Sequence, residues 1–276
     1  MSKKFGILAH PAGHSLSPAM HRAAFQKLGI DATYDFFDIP PENLAEFFAK
    51  EVRTKKISGL SVSIPHKEKV IPLLDVVDLS VEEIGAVNTV YWEGDKLVGT
   101  NTDWIGFLTA LKEKINPIKK KVVIAGGGGA ARAIIHALLI TPQNCKITIV
   151  TREEWEFEGL KKDFGNQIEK YGFIKNLDHF DPEILINATP LGMKGGFEGR
   201  SCVEPSFFEN HKPLVFDIVY NPRETKLLAD AKKAGCETIE GLRMLVNQAI
   251  AQFEKFTGRS IDFATMWDSA TAELGK

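Results

Sequence analysis

Three cysteines in 276 residues, Cys145, Cys202 and Cys236, are too few and too widely spaced for a disulfide framework, and none sits in a C-x-x-C pair. A zinc ribbon or an oxidising compartment is disfavoured, and a reducing cytoplasm fits. Charge of one sign is not in excess either. Lys and Arg number 34 against 36 Asp and Glu, a net charge of −2, with no long basic run. Nucleic acid and anionic membrane surfaces are therefore poor partners. No apolar stretch reaches membrane-spanning length, and the one at 5–9 is too short for a signal-peptide core. The seven histidines make no metal set: His10 and His14 are four apart, but Pro11 and Gly13 prevent a helix between them. Repeats and low-complexity segments are missing. With 44% hydrophobic and 25% charged residues, the chain suits one large or two modest globular domains.

What is present centres on 122–133, where a β-branched run ends in Gly126, Gly127, Gly128 and Gly129 and continues into Ala130, Ala131, Arg132 and Ala133. That is the form of a strand, a tight turn and a helix packed against the strand. Read as G-x-G-x-x-A, Gly126 makes the turn and Gly128 leaves room for a pyrophosphate. Ala131 lets helix and strand approach closely. Such a match alone is weak, because a bland βα turn can be spelled the same way. Its position says more: a nucleotide-binding unit begins mid-chain, and some 120 residues before it have another task.

Before the glycines, strands are expected at 5–9, 33–39 and 59–64, and a hairpin pairs 87–92 with 96–100. Helices are expected at 18–28, with Ser17 as N-cap, and at 43–51, 66–74 and 103–111. The charged stretch 112–120, with Pro117, marks a domain boundary. After the glycines, strands at 147–150, 184–188, 214–218 and 237–239 alternate with helices at 155–164, 225–234 and 241–256. That alternation means a parallel sheet with helices on both faces. On the last helix Gln248 flanks an apolar stripe, where a polar group can reach a cleft.

Small polar clusters stand at strand ends: Ser15 and Ser17, Ser61 and Ser63, Asn88 and Thr89, and Asn101, Thr102 and Asp103. Each alone also reads as turn or cap chemistry. Together they would line a concave face with hydroxyls and amides, as a polyhydroxylated ligand requires. Lys67 follows a buried strand and Asp103 starts a helix; singly these are a solvated lysine and a dipole-favoured charge. Together in a nicotinamide cleft they have a use, since reducing a ketone needs a proton delivered to oxygen as hydride reaches carbon.

Nearly end to end, the chain resembles the shikimate dehydrogenase family. The resemblance runs through 15–21, 59–67, 85–89, 99–106, the glycine turn, 187–193, 217–222 and 241–249. It implies an N-terminal α/β substrate domain, 1–112, completed by C-terminal helices over 242–276. A Rossmann-type doubly wound domain over 113–241 would bind NADP, with a cleft between the two. Lys67 and Asp103 fall on the family's catalytic pair, and Ser15 and Ser17 on the serines that hold the substrate carboxylate. Ser63, Asn88, Tyr220 and Gln248 fall on residues around the substrate. Gly126 to Ala131 would bind the pyrophosphate and Thr151 and Arg152 the adenosine ribose. Thr189 also falls on the cofactor, and Met193, Val219 and Gly241 lie by the nicotinamide. No metal is implied.

The implied activity is reversible NADPH-dependent reduction of 3-dehydroshikimate to shikimate, in aromatic amino acid biosynthesis. A cytoplasmic monomer or homodimer with a small-molecule substrate is expected. Alternatives are an NAD-linked quinate/shikimate dehydrogenase, a non-catalytic dinucleotide-sensing regulator, and a folate-linked dehydrogenase, which the paired serines fit poorly. Several residues depart from the family. Its usual Asn-Val-Thr is Ser61-Val62-Ser63, His66 replaces an aromatic before the lysine, and Arg22 stands for an asparagine. Its usual Asn-Arg-Thr is Thr151-Arg152-Glu153. Arg152 suits a 2′-phosphate, while Glu153 and Glu154 oppose one, so a modest NADP preference with tolerance of NAD is expected.

Overall fold

The computed structural model describes residues 2–13, 15–140 and 145–275. His14, and with it the His10–His14 spacing, lies outside the described residues. The chain divides into two units, Met1–Gly106 with Val246–Lys276, and Phe107–Leu245.

The first unit contains β1 (Lys3–Ala9), α1 (Ser17–Leu28), β2 (Ala32–Asp38), α2 (Leu44–Phe47), β3 (Gly59–Val62), β4 (Val76–Val77), α3 (Leu79–Ile84), β5 (Thr89–Glu93), β6 (Lys96–Thr100) and the start of α4 (Asp103–Lys112). Its sheet has the order β2-β1-β3-β5-β6-β4. β1 is parallel to β2 and β3, whereas the β5–β6 hairpin turns antiparallel against β3. One face of this mixed sheet buries Leu8, Leu60, Val62, Val90 and Leu97 with Phe48 and Val52.

Three local expectations are corrected. α1 begins at Ser17 itself, with Leu16 in the cap position. Proline is tolerated at either of the first two helical positions, whose N–H groups have no helical partner. The hydroxyl at the helix entry is that of Ser15, whose Oγ accepts from the Ser17 N–H at 3.2 Å. The helix expected at 66–74 is a single turn, Val70 N–H to His66 carbonyl at 3.0 Å, followed by a 3₁₀ turn at Ile71–Leu73. Pro72 supplies no N–H and its ring clashes with the carbonyl four residues back. The segment at 43–51 divides between α2 and a π-turn, Phe48–Val52.

The second unit continues α4 and adds β7 (Lys121–Ala125), α5 (Gly129–Leu139), β8 (Lys146–Thr151), α6 (Glu154–Phe164), β9 (Lys170–Phe173), β10 (Ile184–Asn187), α7 (Phe207–Asn210), β11 (Leu214–Asp217), α8 (Lys226–Lys233), β12 (Thr238–Ile239) and the start of α9 (Gly241–Thr257). Its six strands are all parallel in the order β9-β8-β7-β10-β11-β12. This is the doubly wound order, and the chain reverses direction across the sheet between β7 and β10. Ligands of such sheets bind beyond the strand C-termini at that switch point. Val123, Ala125, Val150, Leu185 and Val215 pack one face against Phe207, Phe208 and Leu228. All three cysteines are free. Burial pushes the Cys202 thiol up to about 12.

The rest of α9 and the following α10 (Phe263–Leu274) belong to the first unit. There α10 is held against α1 by Lys27 Nζ to Asp262 Oδ2 at 2.7 Å, and by Ser269 Oγ donating to the Ala19 carbonyl at 2.8 Å. Among the described residues no helix is long and apolar enough to cross a membrane.

Candidate active site

In the first unit the chemistry gathers around Asn88, in the loop before β5. Lys67 Nζ donates to Asp103 Oδ2 at 2.6 Å, with the two side chains 23% and 12% exposed. Asp103 opens α4, and its N–H donates to Asn101 Oδ1 at 2.9 Å. Asn101 thus turns the chain into the helix through its own side chain, and the Asp103 carboxylate is left to Lys67 and Asn88. Asn88 Nδ2 holds the other carboxylate oxygen at 2.8 Å and the Thr102 hydroxyl at 2.9 Å. Asn88 Oδ1 accepts from the Thr102 N–H and the Thr89 hydroxyl, each at 2.7 Å. Gln248 Oε1, from α9, comes to 3.4 Å of Asn88 Nδ2. Lys67, Asp103, Asn88 and Gln248 are therefore brought together. Ser15 and Ser17 stand at the entry of α1. Ser63 follows β3, its N–H on the Leu8 carbonyl at 2.9 Å. Tyr220 belongs to the second unit, where burial pushes its hydroxyl upward.

A second layer escaped sequence reading. Gln252, one turn beyond Gln248, donates from Nε2 to the Asn88 carbonyl at 3.0 Å and accepts from Ser61 Oγ at 2.7 Å. Ser61 in turn accepts from Tyr34 Oη at 2.5 Å. His21 stacks on Tyr34 at 4.5 Å, and burial lowers its pKa to about 3, so the ring is neutral at pH 7. The available signal was the i, i+4 spacing of the two glutamines on one helix face.

In the second unit the glycine turn fits a dinucleotide pyrophosphate. Gly126 has φ of +117°, and a Cβ there would meet the Ala188 carbonyl oxygen at 2.8 Å. At Gly128 and Gly129 a Cβ would meet nothing within 4 Å. Among the described residues no side chain caps the N-terminus of α5, while Ala131 is fully buried. The N–H groups at a helix start are the donors that phosphates take. The loop after β10 is shaped by Asn187, which donates to Asp217 Oδ1 at 2.9 Å and the Leu191 carbonyl at 3.0 Å. Its Oδ1 accepts from the Thr189 N–H and hydroxyl at 3.1 and 2.6 Å. Asp217 also accepts from Thr225 Oγ1 at 2.6 Å and the Val219 N–H at 3.0 Å. Desolvation nonetheless raises its pKa to about 6. Gly241 abuts the exit of β11: a Cβ would lie 2.3 Å from the Ile218 carbonyl oxygen. Val219 is buried and Met193 is 44% exposed.

The corner after β8 places Thr151 and Arg152 as a pair, and the glutamates beside them. Thr151 Oγ1 donates to the Glu153 carbonyl at 2.9 Å, and Arg152 Nε lies 3.6 Å from Glu153 Oε1. Glu156, absent from the sequence reading, accepts on Oε2 from the Arg152 and Glu153 N–H groups at 3.0 and 3.1 Å. Its signal was an acidic residue three positions into a helix, the reaching-back half of a capping box. Among the described residues no three His, Cys, Asp or Glu side chains cluster to hold a metal.

A phosphate-ready turn at the switch point of a doubly wound sheet, together with an ammonium held by a carboxylate, defines the class of dinucleotide-linked dehydrogenases. Family models narrow the class. Residues 7–90 match the shikimate dehydrogenase substrate binding domain, and 241–271 the shikimate 5′-dehydrogenase C-terminal domain. The chain is 40% identical to shikimate dehydrogenase (NADP(+)) of Methanocaldococcus jannaschii, over 100% of this chain and 98% of that one. Shikimate 5-dehydrogenase of Thermus thermophilus, solved with NADP(H) and shikimate, superposes with a TM-score of 0.87. It is 33% identical, over 98% of this chain and 99% of that one. The Listeria monocytogenes enzyme, solved with shikimate and NAD, also gives 0.87, at 32% identity over 99% and 96%. The chain belongs to the shikimate dehydrogenase family.

Proposed function

We infer that this protein catalyses the reversible NADPH-dependent reduction of 3-dehydroshikimate to shikimate. The observation that carries the mechanism is the 2.6 Å contact between Lys67 Nζ and Asp103 Oδ2. When bound, the nicotinamide supplies the hydride for the substrate's C3 carbonyl. Lys67 donates the proton to the carbonyl oxygen, and in oxidation takes it back from the hydroxyl. Asp103 fixes the ammonium by accepting one of its three N–H bonds, leaving the other two for substrate and solvent. Asn88 holds the far carboxylate oxygen, so the pair does not turn as the substrate arrives. No metal is called for, because the ammonium polarises the carbonyl.

The hydroxyls of Ser15 and Ser17 hold the substrate carboxylate, and Ser63, Asn88, Tyr220 and Gln248 contact its polar groups. Gly126 to Ala131 cradle the pyrophosphate, Thr151 and Arg152 meet the adenosine ribose, and Thr189, Met193, Val219 and Gly241 border the nicotinamide end. The compartment is the cytoplasm, in keeping with three free cysteines, and the working form is a monomer or homodimer. Absorbance of the reduced nicotinamide, with shikimate and quinate each crossed with NADP and NAD, tests the reading. Oxidation of shikimate is expected. If neither acid is oxidised with either cofactor, a dinucleotide-sensing role replaces it.

A further inference from the structure

The nucleotide corner after β8 holds more carboxylate than a 2′-phosphate site can use. In doubly wound folds the end of the second strand meets the adenosine ribose; an acidic residue there takes the 2′-OH, and an arginine nearby accommodates a 2′-phosphate. Here β8 is that second strand, and Arg152 is the cation that directly follows its C-terminal end. The guanidinium faces Glu153 at 3.6 Å. The donors that a phosphate would use are already engaged. Thr151 Oγ1 donates to the Glu153 carbonyl, and the Arg152 and Glu153 N–H groups both point at Glu156 Oε2. Glu156 also borders the glycine turn, since a Cβ on Gly127 would lie 3.1 Å from Glu156 Cβ and 3.3 Å from Thr151 Cγ2. Its carboxylate is thus held at the end of β8, while its Cβ stands beside the phosphate turn.

We propose that Glu156 is a cofactor-specificity residue: its carboxylate opposes the 2′-phosphate of NADP, accepts from the 2′-OH of NAD, and makes NAD a working second cofactor. Arg152 keeps NADP bound, and Glu156 narrows its advantage. The cap that Glu156 forms does not depend on charge, because glutamine serves the same position. Glu156→Gln therefore removes the repulsion while keeping α6 capped.

This inference rests on the shikimate dehydrogenase reading, and two measurements separate them. Titration calorimetry with NADP+ and with NAD+, on the full chain without substrate, reads the nucleotide corner alone. Steady-state oxidation of shikimate reads the reaction. In the parent, Kd and kcat/KM for the two cofactors are expected to lie within about tenfold of each other. Glu156→Gln is expected to move both ratios toward NADP by about tenfold, the effect of removing one like charge from a partly screened site. An unchanged melting temperature shows that the cap has survived; a damaged cap would weaken both cofactors alike, so the change in their ratio still reads the charge. A parent preferring NADP by more than about a hundredfold, or ratios that Glu156→Gln leaves alone, overturns the proposal. Cofactor binding that behaves as expected without any oxidation of shikimate overturns the reaction reading instead.

Discussion

Each unit holds an aspartate with an asparagine, and the two clamps differ in one respect. In the first, Asn88 Nδ2 reaches Asp103 Oδ1 at 2.8 Å, and in the second, Asn187 Nδ2 reaches Asp217 Oδ1 at 2.9 Å. Both asparagines end or precede a strand, and both are fully engaged. Asp103, however, faces an ammonium, whereas Asp217 faces only a hydroxyl, an amide and a backbone N–H. A counter-charge makes a carboxylate a partner in proton transfer. Neutral donors alone make it a strut for loops, at a desolvation cost that appears as its raised pKa.

Removing the counter-charge breaks the contrast most severely. Lys67→Ala should lower kcat by about 10²–10⁴-fold, the usual contribution of a positioned acid–base group, while calorimetry still detects shikimate binding. Activity within a few-fold of the parent would place the proton transfer elsewhere.

The second clamp is sharpened by pH. Asp217 is raised from 3.8 to about 6, so the folded state holds its proton more tightly than the unfolded chain. Its contribution to stability is full below pH 4 and is lost as pH rises through about 6. The stability difference between parent and Asp217→Asn should therefore fall by about 2–3 kcal/mol across that window and stay level above it. Urea unfolding from pH 4 to 7 measures this; a difference that grows with pH would mean the three donors outweigh desolvation.

A smaller effect comes from the layer behind the first clamp. Gln252→Leu leaves the buried Ser61 hydroxyl without its acceptor, for a loss of about 1–3 kcal/mol. Adding Ser61→Ala together with Tyr34→Phe should recover part of it, since the Tyr34 hydroxyl donates to Ser61 and the whole hydroxyl chain must go before no buried group is left unpaired. A triple mutant no more stable than Gln252→Leu would show that the three side chains are not coupled.

How far these features were legible varies with the range of the forces behind them. The β7 turn and α5 were plain in Gly126 to Ala133, because strand, turn and helix are local in sequence. The same is true of α8, capped by Thr225, and of the β5–β6 hairpin around Gly94. The short elements were not. β4 has two residues, and α3 has six, held by Asp78 accepting from the Val81 N–H at 3.2 Å; neither is long enough to show a period. β9 was missed because Gly172 interrupts its apolar pattern, where a Cβ would lie 2.9 Å from the Phe180 ring. At the site, Lys67 and Asp103 could be named from the family resemblance, but not the reach of Gln252 to residues 191 and 164 positions away. Nor did Glu153 and Glu154 reveal that Glu156 makes the backbone contacts, since helical rotation decides which of three neighbouring carboxylates faces the turn.

The free thiols offer a way to watch one half of the molecule open. Cys145, Cys202 and Cys236 all lie within Phe107–Leu245, whereas Trp92, Trp104 and Trp267 lie in the other unit. Burial holds the Cys202 thiol far above its ordinary pKa, so in the folded state it is kept as the unreactive thiol, and alkylating reagents attack thiolate. Its labelling must await exposure of the layer beneath β10 and β11, so the rate at which it reacts clocks unfolding of the nucleotide unit. The fourth tryptophan, Trp155, lies with the cysteines, so in a Trp155→Phe variant indole fluorescence reports on the other unit. Matching rates from the two signals would show a single cooperative transition, and divergent rates would assign each unit its own barrier.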